Sequence, residues 1–317
     1  MAEYKTKVLI IGSGPAGYTA GIYAARAGFN PILVSGAEVG GQLIWTESIK
    51  NFPGYADNGS GQGLMEIMRQ QALDVGVNIV RDKIVEVNFN RHPFICSSEN
   101  HNVFCSDTVI IATGASAKWL GLKSEEQYKG RGVSVCATCD GFFYRGKDVI
   151  VVGGGNTAVE NALYLTGFAK SVTIIHRCDS LNAEHHLQET LKHNLQINVK
   201  YDTTVEEILG TSNPLAVTGV RIKNVKTDKM EILKTDGIFV AVGHHPNTEI
   251  FKNKLALDKD DYIITKPCAC ATNIDGVYAC GDVMNPTHRQ AVIAAGSGAT
   301  AAVEVERYLN RSSSNSW

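Results

Sequence analysis

A chain of 317 residues, 44% hydrophobic and 20% charged, is long enough for about two domains and apolar enough to bury a core in each. Its 30 basic and 32 acidic residues leave a net charge of −2 with no basic run, which argues against a nucleic-acid partner, and no apolar stretch reaches the roughly 18 residues of a membrane span. The eight cysteines are scattered through this long chain, a pattern expected of free thiols in a reducing compartment, here the cytoplasm, rather than of a disulfide framework.

The N-terminal MAEYKTKVLIIG reads as a strand entering a glycine turn and not as a leader. The apolar run TKVLII (6–11) precedes Gly12-Ser13-Gly14-Pro15-Ala16-Gly17, then the Ala-rich helical stretch YTAGIYAARAG and a second apolar run, PILV (31–34). That is a β-α-β unit, the opening of a doubly wound fold. GGQL (40–43) and NFPG (51–54) mark loops, and VIIATGA (109–115) reads as a buried strand ending at glycine. A second β-α-β unit follows: DVIVV (148–152), Gly153-Gly154-Gly155-Asn156-Thr157-Ala158, the helical VENALYLTG and the strand SVTII (171–175). Residues 200–235 alternate in short strand-like runs broken by turn signals such as TSNP. GIFVAVGHHPN (237–247) is another buried strand, and AVIAAGSGATAAVEVERYL (291–309) is a small-residue helix followed by a polar tail expected to fray.

Both glycine motifs carry a mechanism. In Gly12-x-Gly14-x-x-Gly17 the first glycine permits a tight turn, the second lets a pyrophosphate approach the backbone, and the third lets helix and strand pack closely. The acid that usually binds the ribose at the end of the next strand is replaced by Ser35, whose hydroxyl still offers a hydrogen bond. Gly153-x-Gly155-x-x-Ala158 repeats the device, and its second strand ends in His176-Arg177, where an arginine suits a ribose 2′-phosphate. A third signal, TNIDGVYACGD (272–282), is a turn, a short strand and Gly281-Asp282, a pattern that resembles one found in flavoproteins, a resemblance that implies a hydrogen bond accepted by Asp282 from the ribityl chain of FAD. SVCATCDG (134–141) holds a C-x-x-C pair, a spacing that serves redox disulfides and zinc sites alike.

Taken in order, GSGPAG, GGQL, NFPG, IIATGA, CATCDG, GGGNTAVE, HR, VAVGHHPNT and ACGDV with HRQA resemble the low-molecular-weight thioredoxin reductases over residues 5–309. The resemblance implies an α/β protein of two Rossmann-like dinucleotide-binding domains. The NADPH-binding domain (117–245) is inserted into a split FAD-binding domain (1–116 and 246–317), with hinges near 115–118 and 243–247. It implies FAD contacts at Gly12, Ser13, Gly14, Pro15, Ala16, Gly17, Gly41, Gln42, Leu43, Asn51, Ala112, Thr113, Gly114, Gly281, Asp282, Arg289, Gln290 and Ala291. NADPH contacts are implied at Gly155, Asn156, Thr157, His176 and Arg177. It further implies a homodimer, thioredoxin as partner, and a redox-active Cys136–Cys139 disulfide in which Cys139 meets the flavin, Cys136 attacks the partner and Asp140 supplies a proton.

Two departures bear on cofactor choice. Cys178 and Asn182 stand where the family often has arginines, so preference for NADPH over NADH is expected to weaken. The same thinning supports a rival reading, an NADPH-independent FAD dithiol oxidase on this scaffold. No metal is expected, because a structural zinc needs four ligands, Cys268-Ala269-Cys270 is C-x-C, and His185-His186 and His244-His245 are adjacent pairs. Cys268 and Cys270 read as free thiols on one face of a strand, and Cys96, Cys105, Cys178 and Cys280 as thiols without a role.

Overall fold

The computed structural model describes residues 2–46, 49, 51–55 and 59–314. The chain divides into two compact units, Met1–Ser116 with His245–Trp317, and Ala117–His244. Among the described residues no helix is long and apolar enough to cross a membrane.

In the first unit a parallel array runs in the order Asn78–Val80, Ile32–Val34, Glu3–Ile11, Val103–Ile111, Val277–Ala279. The long strand Val103–Ile111 is shared: its second half pairs with Val277–Ala279, its first half with an antiparallel hairpin, Ile84–Asn88 and Phe94–Ser98. The run Val8–Ile11 is apolar throughout because both faces are covered. Val8 and Ile10 pack with Tyr18, Ala20 and Ala24 of the helix Pro15–Arg26 and with Ala302 and Val305 of the C-terminal helix. Leu9 and Ile11 face the other way, onto Val34, Phe251 and Val277. Fully burying each such side chain contributes about 1.5–3 kcal/mol before entropy is subtracted.

The second unit repeats the plan. Its five parallel strands run Ile197–Lys200, Ser171–Ile175, Asp148–Val152, Gly237–Val240, Val133–Ser134. Val149 and Val151 pack on Ala158, Val159 and Ala162 of the helix Asn156–Leu165. Ile150 and Val152 meet a three-stranded antiparallel sheet, Thr203–Ser212, Leu215–Asn224 and Met230–Lys234, through Val205, Val217 and Val220. The two segments where the chain passes between units, Ala115–Ala117 and His244–Pro246, pair with each other as a two-stranded sheet.

Two expectations are corrected. Cys268 and Cys270 do not share a strand: Cys268 is exposed in a turn with φ of 56°, while Cys270 is buried. Pro267 and the turn bond from the Ala269 N–H to the Lys266 carbonyl break the extended conformation there. The last helix does not stop at Leu309 but runs through Ser314. No glycine or proline follows Leu309, and continuing an existing helix through asparagine, arginine and serine costs only tenths of a kcal/mol each.

Candidate active site

Ligands of open α/β sheets sit beyond the carboxyl ends of the strands. In the first unit those ends are Ile11, Val34, Ile111 and Ala279. Gly12 turns the chain with φ of 113°, and a Cβ there would lie 2.2 Å from the Ala112 carbonyl oxygen. A Cβ on Gly17 would lie 2.0 Å from the Gly12 oxygen. Those two glycines are needed by the protein's own packing. Gly14 is different: its backbone is extended (φ −70°, ψ −175°), and a Cβ would meet nothing within 4 Å. The turn at Gly41 (φ 66°) passes beside it, Gly14 Cα being 3.5 Å from where the Gly41 Cβ would be. The helix that starts here has Pro15 in its first turn, no side-chain cap and no acid in that turn. This is an open, electropositive backbone cradle of the kind a dinucleotide pyrophosphate fills.

The surrounding side chains are tied down. Ser13 is buried, donates to the Ser35 carbonyl at 2.7 Å and accepts from the Gly40 N–H at 3.0 Å, so it clamps the cradle to the next strand and loop. Ser35 is buried too, and its hydroxyl donates to the Gly36 carbonyl at 3.1 Å. The Gln42 amide donates to the Ala115 carbonyl at 2.7 Å, and Asn51 donates to Gln290 at 3.2 Å. Thr113 donates to the Asn247 carbonyl at 2.9 Å, and Gly114 turns with φ of 69°. Ala16 backs onto Gly281 and Gly298, where a Cβ would lie 3.0 Å from Ala16 Cβ and 2.2 Å from its carbonyl oxygen respectively. Leu43 closes the loop through its carbonyl, 1.8 Å from where a Cβ on Gly61 would be. Ala291 opens the C-terminal helix, and Arg289 before it donates to the Tyr262 hydroxyl at 3.0 Å.

Asp282 follows Gly281 in a short 3-10 turn. Burial pushes its carboxyl up to about 6, against the pull of the Arg289 charge. The folded protein therefore binds this proton more tightly than the unfolded chain. The resulting stabilisation is complete below the ordinary carboxylate range and is lost as pH rises through about 6. Asp282→Asn is accordingly expected to stabilise the flavin-free protein by about 3 kcal/mol at pH 8 and by little near pH 4. Urea unfolding at both pH values checks this, and a difference that does not change with pH contradicts it.

In the second unit the pattern recurs. A Cβ on Gly153 (φ 148°) would lie 2.3 Å from the Ala241 carbonyl oxygen, whereas Gly155 (φ −89°, ψ −177°) again has nothing within 4 Å. His176 is buried beneath this loop: a Cβ on Gly154 would fall 2.2 Å from its ring, and its Nε2 lies 3.0 Å from the Ser180 carbonyl. It shapes the loop at 177–182, which the Asn182 N–H ties to the Gly154 carbonyl at 2.7 Å. Asn156 exchanges hydrogen bonds with Glu184, its Oδ1 accepting from the backbone N–H at 2.8 Å and its Nδ2 donating to the carboxylate at 3.1 Å. Thr157 and Arg177 are exposed. Lys226, from the turn after Asn224, sits 3.5 Å from Asp179 and 3.0 Å from Asp202, a cation beside this loop that sequence reasoning missed.

The cysteine pair lies in the same unit, on the turn after Val133–Ser134. Cys136 and Cys139 are joined, with S–S of 2.05 Å and Cα–Cα of 5.3 Å. Cys136 caps the one-turn helix Ala137–Asp140, its Sγ accepting from the Cys139 N–H at 3.2 Å, while its own N–H donates to Ser134 Oγ at 3.0 Å. Ala137 is buried and anchors the turn in the core; Asp140 is half-buried just beyond the pair. The other cysteines are free. Burial pushes the thiols of Cys96 and Cys270 up to about 12 and that of Cys280 well above its ordinary value, which leaves them unreactive. Among the described residues no cluster of three or more metal-ligating side chains occurs.

Residues 6–298 match the family model described as pyridine nucleotide-disulphide oxidoreductase. The thioredoxin reductase of Rickettsia bellii is 52% identical over 306 residues, which span 96% of this chain and 99% of that one. The chain belongs to this oxidoreductase family, among its thioredoxin reductases. Solved thioredoxin reductases share the architecture: that of Giardia duodenalis superposes with a TM-score of 0.92 at 37% identity, covering 97% of this chain and 99% of that one. The enzyme from Streptococcus pyogenes gives 0.91 at 40% identity, with coverage of 97% and 99%. For a thioredoxin reductase, flavin and nicotinamide cofactors are implied, and the two open cradles at Gly14 and Gly155 fit two dinucleotides.

Proposed function

We infer that this protein is a thioredoxin-disulfide reductase that takes electrons from NADPH, uses FAD, and delivers them through Cys136–Cys139 to oxidised thioredoxin. The observation that carries the reading is the joined cysteine pair within a chain that holds two separate dinucleotide cradles. FAD is assigned to the first cradle, where Gly41, Asn51, Asp282 and Gln290 are available as partners. NADPH is assigned to the second, with Arg177 as the cation for its 2′-phosphate. Held by those residues, FAD would supply two-electron redox chemistry, the means of passing the reducing equivalents of a nicotinamide to the disulfide.

The chain's own groups perform the rest. The Cys136 sulfur forms a bond to one sulfur of the partner disulfide. The partner S–S bond breaks, and its second sulfur leaves with the electron pair and takes a proton, for which Asp140 is the donor. Cys139 then displaces the partner from Cys136, so the pair is oxidised again as thioredoxin is reduced. Phe142, 52% exposed, and Phe143 offer an apolar surface just past the pair, suited to a protein rather than a small dithiol. The free cysteines support a reducing, cytoplasmic setting, and the family resemblance supports a homodimer, which sedimentation velocity tests.

Anaerobic stopped-flow mixing with NADPH and NADH, followed by coupled turnover with thioredoxin, tests the reading. Flavin bleaching by NADPH and thioredoxin turnover are expected; no bleaching with either nicotinamide points to the dithiol oxidase instead. Arg177→Ala is expected to lower kcat/KM for NADPH by about 10- to 100-fold, the loss of one charge-assisted hydrogen bond, and to leave NADH use almost unchanged. Equal losses with both nicotinamides contradict the 2′-phosphate role.

A further inference from the structure

Lys226 stands on a surface turn of the second unit, 3.5 Å from the Asp179 carboxylate and 3.0 Å from that of Asp202. Backbone bonds set its place. Asn224 Oδ1 accepts from the N–H groups of Lys226 and Thr227 at 3.1 and 2.9 Å. The Val225 N–H donates to the Asp202 carbonyl at 2.7 Å, and the Asp202 N–H donates to the Cys178 carbonyl at 3.0 Å. The turn is thereby fastened to the segment that follows the strand Ser171–Ile175, where a doubly wound unit reads the ribose 2′ position. We propose that Lys226 is a specificity-determining residue for the nicotinamide: it supplies, in addition to Arg177, the second positive charge for a 2′-phosphate that Cys178 and Asn182 do not. The proposal rests on the assignment of NADPH to this unit made above.

The local charges show why a lysine matters here. Residues 177–182 carry one guanidinium, Arg177, and one carboxylate, Asp179, and Asp202 adds a second carboxylate through its contact with Lys226. Without the lysine, one positive charge stands against two negative ones, which opposes a phosphate. An uncompensated Asp179 would instead suit the free 2′-hydroxyl of NADH, the role an acid takes at the end of this strand in NAD-binding units. With the lysine the charges balance, and its three N–H donors suffice for two carboxylates and one phosphate oxygen. The two acids also hold the ammonium in place before a ligand arrives. The Lys226 side chain is 58% exposed, so water and salt screen the attraction, and its effect is a fraction of that of a buried charged pair.

The test is calorimetric titration of the full-length, flavin-loaded protein with 2′,5′-ADP and, separately, with ADP, which lacks the 2′-phosphate. Lys226→Met is expected to weaken 2′,5′-ADP about three- to tenfold and to leave ADP within about twofold. Lys226→Arg keeps the charge and is expected to keep the parent affinity for both. Lys226→Glu reverses the charge and is expected to weaken 2′,5′-ADP further than methionine does, again sparing ADP. A merely structural role for the turn would not follow charge in this way. Unchanged 2′,5′-ADP affinity in the methionine variant overturns the proposal, as does an equal loss of both ligands. A parent protein that binds 2′,5′-ADP no more tightly than ADP overturns the NADPH assignment itself. A parent that prefers 2′,5′-ADP, with variants that prefer it equally, overturns the role of Lys226 alone.

Discussion

Replacing Cys136 with serine is expected to leave nicotinamide-driven flavin reduction in place and to cut thioredoxin reduction by about a thousandfold or more, the scale on which an essential nucleophile is lost. The two sulfurs are chemically alike but differently placed. The Cys136 sulfur accepts from the Cys139 N–H at 3.2 Å and lies 3.4 Å from the Thr138 hydroxyl. Cys139→Ser is expected to abolish turnover as well, but by a different route. Its Cys136 still attacks the partner, and no neighbouring thiol remains to release it. A mixed disulfide with thioredoxin should therefore accumulate in Cys139→Ser and be absent in Cys136→Ser. Non-reducing gel electrophoresis after incubation with oxidised thioredoxin separates the two cases. The reverse pattern, a trapped complex only with Cys136→Ser, would exchange the roles of the cysteines.

The parts of this molecule that were readable from sequence are those where backbone geometry restricts residue choice. The strands Asp148–Val152 and Ser171–Ile175 fall where the apolar runs place them, because strands buried on both faces leave uninterrupted hydrophobic stretches. Gly12, Gly17 and Gly153 were legible because close backbone approach excludes a Cβ. The supporting polar network was not. Ser13 on Ser35 and Asn156 on Glu184 join chain segments whose proximity only the fold creates. His176 illustrates the boundary. Its strand-end position matches a cofactor contact in the family pattern, and only the fold shows that its ring is buried against Gly154 with Nε2 3.0 Å from the Ser180 carbonyl. The Cys268–Cys270 reading failed for a related reason: alternation implies one face only if the segment is extended, and the turn at Cys268 is not.

The two open glycines permit a substitution that separates folding from binding. Aspartate is a favoured residue at a helix N-cap, where its carboxylate accepts from the first-turn N–H groups and complements the helix dipole. Gly14 and Gly155 both occupy that position with extended backbone, no side-chain cap and no neighbour within 4 Å of a Cβ. Gly14→Asp and Gly155→Asp should therefore fold as well as the parent, or better by a few tenths of a kcal/mol. Each puts a carboxylate where a pyrophosphate needs the same N–H groups, so occupancy and repulsion act together against the ligand. Gly155→Asp is expected to retain the flavin absorbance and to weaken nicotinamide binding by about 100-fold or more, as measured by titration of the flavin-loaded protein. Gly14→Asp is expected to emerge without flavin while still binding 2′,5′-ADP in calorimetry, since the second unit is untouched. By contrast, Gly12→Ala and Gly17→Ala drive a Cβ to 2.2 Å and 2.0 Å from backbone oxygens and should cost about 2–4 kcal/mol of stability. If Gly155→Asp lost flavin and Gly14→Asp lost nicotinamide binding, the two cradles would hold the opposite cofactors from those assigned. If both variants bound both ligands normally, neither cradle would be a pyrophosphate site.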